Sequence, residues 1–145
     1  MRDYRNILIC LDLTEDSEKI AERAKAMAAL SGGVVTLLHV VEYVPVEPMG
    51  EALLPAVQIE GELVERATAR IGELAVKLGL DKSDRLVLTG NIKSEVVRVA
   101  QERGVDLIVI GSRERHGVSI LFNFTEDTVL HAAPCDVLAV RLHKA

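Results

Sequence analysis

Asp12 is the first residue placed for chemistry. It follows an apolar run, Ile7-Leu8-Ile9-Cys10-Leu11, that reads as a strand covered on both faces. A carboxylate at the end of such a strand suits a ribose hydroxyl, a metal ion or the edge of a nucleobase. It suits equally well the capping of a following helix. The second place is Gly111-Ser112-Arg113, which follows the apolar run Leu107-Ile108-Val109-Ile110 and leads toward Thr125. A glycine there lets backbone approach a ligand, and a helix beginning at Thr125 offers unpaired amides with partial positive charge, a setting for phosphate. The same residues would also serve as a plain turn and a helix cap, and spacing alone leaves both readings open. A phosphoacceptor carboxylate would need an acidic partner at the end of the third strand, where the chain reads Leu88-Thr89-Gly90.

The remaining reactive side chains carry weaker signals. His39 lies inside an apolar run and reads as a hydrogen-bonded structural histidine. His116, His131 and His143 form no pair at metal-ligand spacing. Gly117-Val118-Ser119-Ile120-Leu121 is not a nucleophile elbow, and neither G-x-x-x-x-G-K-[ST] nor G-x-G-x-x-G occurs. No hydrolase triad can be assembled. Cys10 and Cys135 have no Cys or His neighbour at ligand spacing and read as buried thiols outside any disulfide framework.

The elements that position these residues alternate in type. After the first strand, Thr14 or Ser17 is a candidate N-cap for a helix with Ile20, Ala24, Met27 and Ala28 on one face, ended by Gly32-Gly33. Val34–Val41 reads as the second buried strand. The stretch Glu42–Val57 contains Pro45, Pro48, Gly50 and Pro55, which predicts a loop in which neither helix nor strand persists. Leu63, Ala67, Ile71, Leu74 and Leu78 trace a long amphipathic helix stopped by Gly79, and its charged stretch Glu60–Arg70 reads as a solvated face. Then follow a strand Arg85–Thr89, a helix through Ile92, Val96, Val99 and Ala100 stopped by Gly104, a strand Leu107–Ile110, a short helix Thr125–Ala132 and a last strand Val137–Val140. Strands separated by helices run parallel with right-handed crossovers, and helices on both faces give a three-layer α/β sandwich. Ligands in such sheets bind beyond the strand C-termini. That directs attention to Leu11-Asp12-Leu13, His39-Val40-Val41, Thr89-Gly90 and Gly111-Ser112-Arg113.

Composition narrows the function. The chain has 145 residues, 49% of them hydrophobic, which predicts one globular domain with a core of its own. Its net charge of −5 and its 3% aromatic content argue against a nucleic-acid binder and its stacking platforms. The first apolar run is too short for a signal peptide, and no stretch reaches the length of a membrane span, so a cytoplasmic protein is expected.

Taken together, four segments make the chain resemble the universal stress protein family, of UspA type, over essentially its whole length. They are Tyr4-Arg5-Asn6-Ile7-Leu8-Ile9-Cys10-Leu11-Asp12, Leu37-Leu38-His39-Val40, Gly104 through Ser112, and Val129 through Val140. The resemblance implies a five-stranded parallel sheet in the order 3-2-1-4-5, the adenine nucleotide alpha hydrolase-like arrangement. It also implies a homodimer paired through the last strand, Val137–Val140, and a cytoplasmic role in stress survival.

The resemblance further implies a nucleotide site. Relatives that bind ATP carry G-x-x-G-x9-G-[ST]; here Gly111 and Thr125 match its ends, while Glu114 and Phe124 stand where the second and third glycines belong. Phe in place of a close-approach glycine fills space, and Glu beside a triphosphate repels it. Glu126 and Asp127 add negative charge nearby. In ATP-binding relatives the counterpart of Asp12 contacts the ribose or adenine region, and that of Val40 lines the adenine pocket. The pocket the resemblance implies is Leu11, Asp12, Val40, Gly111, Ser112, Arg113, Gly117 and Thr125. The expectation is a non-catalytic dimer with weak or absent ATP binding, nearer the family branch with a degenerate motif. The alternative is a sensor in which ATP or AMP occupancy controls partner binding. No metal site, no nucleic-acid partner and no membrane partner is expected.

Overall fold

Period-two alternation in the strands sorts the apolar residues onto two faces. In the computed structural model, which describes residues 3–42, 53–113, 129 and 131–142, the elements are β1 (Asn6–Cys10), α1 (Ser17–Ser31), β2 (Val34–Val41), α2 (Leu53–Lys77), β3 (Asp84–Thr89), α3 (Ile92–Glu102), β4 (Leu107–Arg113) and β5 (Asp136–Leu142). Val129, His131 and Ala132 are helical. The five strands form one sheet in the order β3-β2-β1-β4-β5, with every pairing parallel. The expected architecture and strand order are those observed.

Ile7, Ile9, Leu37 and Val109 pack with Ile20, Ala24, Ala67, Ile71 and Ala75 on the side of α1 and α2. Leu8, Leu38, Val40, Ile108 and Ile110 pack with Val96, Val99, Ala100 and Val129 on the side of α3. Each fully buried Leu or Ile contributes about 1.5–3 kcal/mol by leaving water, and Ile7, Leu8 and Ile9 are all 0% exposed. The central strand is thus fixed from both sides, which is what holds its C-terminal end in place.

The N-terminal edge of the sheet is braced by polar groups. The Asp106 carboxylate accepts from the amides of Arg5 (2.9 Å) and Asn6 (3.0 Å), and Asn6 Nδ2 donates to the Arg103 carbonyl (2.6 Å). Arg103 in turn donates to Asp84 and to the buried Thr36 hydroxyl. Asn6 and Asp106, both within segments that carry the family resemblance, tie β1 to β4 far from the strand C-termini. Gly32 closes α1 with φ +67°, and a Cβ on Gly33 would lie 2.4 Å from the Tyr4 carbonyl oxygen.

Several expected boundaries shift. The loop ends earlier than Val57, because α2 begins at Leu53. Pro55 falls in the first helical turn, where an amide donor is not used and the fixed φ suits the helix. Residues 43–52 lie outside the described residues, as does most of the short helix expected over Thr125–Ala132. β3 gains Asp84, β4 runs on through Gly111 and Ser112 to Arg113, and β5 spans Asp136–Leu142. Neither Thr14 nor Ser17 is the N-cap of α1. Asp16 takes that position without a side-chain cap bond, because the Ser17 hydroxyl, inside the helix, is donated to Asp12.

Candidate functional site

β1 is the point where strand order reverses, since the chain continues to β2 on one side and to β4 on the other. On the β2 side contact persists to the end: Cys10 pairs with Leu38, and the Leu11 amide donates to the Leu38 carbonyl (2.8 Å). On the other side pairing of β1 with β4 stops at Ile9 and Val109, while β4 continues beside β5 as far as Arg113 with Leu142. A crevice therefore opens between Leu11-Asp12 and Gly111-Ser112. Leu11 and Val40 are buried, in the cores on opposite faces of the sheet, Asp12 is exposed, and Gly111 and Ser112 are half-buried.

The turn that carries Asp12 is held from three elements. Asp12 Oδ1 accepts from the Thr14 amide (3.1 Å), the Thr14 hydroxyl (2.8 Å) and the buried Ser17 hydroxyl (3.1 Å). The Leu11 carbonyl accepts from His39 Nδ1 (2.7 Å), which makes His39 the hydrogen-bonded structural residue expected and places its proton on Nδ1. The Leu13 carbonyl accepts from the Arg70 guanidinium. Leu13 itself is buried with φ +60°, a conformation that costs a non-glycine residue about 1–3 kcal/mol. Arg70 is exposed, like Glu62, Glu65 and Arg66 on the solvated face expected over Glu60–Arg70, and it also brings its guanidinium to the Leu13 carbonyl. Its signal was its spacing: three residues after Ala67 and four before Leu74, it borders the apolar stripe.

The Gly111 side of the crevice is built differently. A Cβ on Gly111 would lie 2.7 Å from Ile20 Cδ1 and 2.8 Å from Leu142 Cδ1. Gly111 lies within a strand rather than in the turn expected, and the atoms crowding it are the side-chain tips of Ile20 and Leu142. Arg113 closes β4. Gly117, Thr125, Glu114 and Phe124 lie outside the described residues. Two helix N-termini described at this edge already meet the chain's own oxygens. The first amide of α3, Ile92, donates to Glu42 Oε2 (2.9 Å), and Asn91 Oδ1 accepts from the Ser94 amide (3.0 Å). At α1 the Ser17 amide donates to the Thr14 carbonyl (3.1 Å), and the Ser17 hydroxyl to the Asp12 carboxylate. The role of Glu42 was not legible, because it depends on where α3 begins relative to the end of β2.

Cys10 and Cys135 are both half-buried rather than buried, and both are thiols. Burial, with a smaller contribution from Cys135, pushes the Cys10 thiol up to about 12. Among the described residues no group of three or more His, Cys, Asp or Glu side chains is placed to hold a metal.

The sequence profile of the Universal stress protein family matches residues 3–141. The chain belongs to the universal stress protein family. Universal stress protein A homolog 2 of Coxiella burnetii is 36% identical over 143 residues, with 98% of each chain covered. Protein MJ0577 of Methanocaldococcus jannaschii superposes with a TM-score of 0.80 at 23% identity, covering 99% of this chain and 100% of that one. A universal stress protein crystallised in complex with cAMP superposes with a TM-score of 0.60 at 18% identity, covering 96% and 98%. These universal stress protein structures share the fold, and the crevice beside Asp12 is its strand-order reversal point.

Proposed function

We propose that this universal stress protein is a non-catalytic, dimeric stress-response protein whose nucleotide site keeps its nucleoside end and has an altered phosphate end. The observation that carries the reading is the state of the crevice rim. Leu11, Asp12 and Val40 lie at the C-terminal ends of β1 and β2, while the first amide of α3 is occupied by Glu42 and Ser17 at the start of α1 donates its hydroxyl to the Asp12 carboxylate. A triphosphate brought there meets carboxylates where phosphate recognition calls for unpaired donors. The sequence adds Glu114 and Phe124 at the motif glycine positions.

Calorimetric titration with adenosine, AMP, ADP and ATP tests this. Each added phosphate is expected to bring no gain in affinity, and ATP binding at micromolar strength or better overturns the reading. The double change Glu114→Gly with Phe124→Gly is expected to strengthen ATP binding. The non-catalytic part fails if purified protein hydrolyses ATP above the rate of an Asp12→Ala control.

A second reading, a sensor in which nucleotide occupancy controls partner binding, draws support from the relative crystallised with cAMP, a ligand with a single phosphate. AMP or cAMP binding that exceeds ATP binding, with a change in partner capture, favours it. The dimer is proposed through β5, whose outer edge pairs with no strand among the described residues. A cytoplasmic setting fits two cysteines kept as thiols. No helix among the described residues is long and apolar enough to cross a membrane.

A further inference from the structure

The two peptide carbonyls that bracket Asp12 are each held by a side chain from a different element. His39 of β2 holds the Leu11 carbonyl at 2.7 Å, and Arg70 of α2 holds the Leu13 carbonyl. Between them the Asp12 carboxylate is fixed by Thr14 and Ser17 at the start of α1. Leu13 keeps φ +60° with its side chain in the core. A buried leucine holds such a backbone only where its surroundings over-determine it. The core fixes the side chain, so the directions of the Leu11–Asp12 and Leu13–Thr14 peptides on either side are left to the groups on the Leu11 and Leu13 carbonyls.

We propose that Arg70 and His39 are positioning residues for the nucleoside end, acting through the Leu11–Leu13 turn to aim Asp12 into the crevice. The proposal rests on the nucleoside half of the function given above. Without the Arg70 guanidinium, the Leu13 carbonyl loses the partner that faces it, and Leu13 relaxes toward negative φ. That rotation turns the Asp12 backbone while leaving its carboxylate chemistry unchanged. The loss is therefore one of aim, and it falls on a residue outside the family motif.

Arg70→Met keeps the apolar stem and removes the guanidinium; Arg70→Lys keeps a cationic donor. In the ligand-free protein, a strong intraresidue amide-to-Hα Overhauser signal at Leu13 reports its positive φ. It is expected to be present in the wild type, lost in Arg70→Met and partly restored in Arg70→Lys, with Ile9 and Val109 resonances unmoved. Adenosine affinity, measured by titration, is expected to fall about tenfold in Arg70→Met, in line with loss of one charged hydrogen bond. An unchanged Leu13 signal, or shifts spread evenly through the sheet, overturns the proposal. So does unchanged adenosine affinity where the wild type binds. If the wild type binds adenosine no better than Asp12→Ala, the nucleoside reading falls and the Leu13 signal alone decides positioning. Should Arg70→Met fold poorly, His39→Leu removes the donor at the other carbonyl and is read through the same signals.

Discussion

At Asp12 a single carboxylate oxygen accepts from the Thr14 amide, the Thr14 hydroxyl and the Ser17 hydroxyl before any ligand is present. Ser17 is 2% exposed, so removing its acceptor strands a buried hydroxyl. Asp12→Ala is therefore expected to cost about 1–3 kcal/mol of stability, read from urea melts, in addition to any loss of ligand. Cys10 offers a second test. Its thiol is pushed up to about 12 from an ordinary 9.0 by burial first and Cys135 second. Near neutral pH the native protein should resist iodoacetamide at Cys10, and the unfolded protein should not. The sign for stability follows. Between about 9 and about 12 the unfolded chain has lost a proton that the folded chain keeps, so stability falls as pH rises through that window and is unaffected by this group below it. Urea melts comparing wild type with Cys10→Ser at successive pH values check the slope.

Among the elements, α1 and β2 are joined through Gly32 and Gly33, where backbone approaches backbone closely. A Cβ on Gly33 meets the Tyr4 carbonyl oxygen at 2.4 Å and the Arg5 carbonyl oxygen at 3.1 Å, both backbone atoms of the strand approach beside it. Gly33→Ala is expected to destabilise by about 1–3 kcal/mol, measured by thermal or urea unfolding. Gly111→Ala meets only the tips of Ile20 and Leu142 and should fall at the lower end. Element types were largely legible because hydrophobic period and glycine stops agree: Gly32, Gly79 and Gly104 all adopt positive φ just past the helices they close. Boundaries were less so. Pro55 reads as a breaker in isolation, and only its place in the first turn of α2 makes it compatible with a helix. Gly111 and Ser112 read as a turn, yet β5 pairs alongside them and carries the strand on.

For the whole molecule, β5 is an edge strand with Asp136, Ala139 and Arg141 exposed. If a second copy pairs along that edge, Ala139→Glu places paired like charges close to the two-fold seam. Sedimentation at tens of micromolar protein is expected to give a dimer for the wild type and at least about tenfold weaker association for the variant, the effect of one desolvated like-charge contact. A wild-type monomer overturns the dimer.

The sequence by itself determined the fold and the family. Apolar runs of strand and helix period come in an order that requires a parallel α/β winding, and four segments carry the family resemblance that implies its strand order. It also marked Asp12, Val40 and Gly111, because strand ends are visible where apolar runs stop. The tertiary structure alone decided what surrounds them. Arg70 reaches the Asp12 turn from 57 residues away, His39 from 28 residues away, and Glu42 takes the first amide of α3 from 50 residues away. Those partners are set by how helices and strands pack across the sheet. A polar side chain's destination is fixed by that packing and not by its neighbours in the chain.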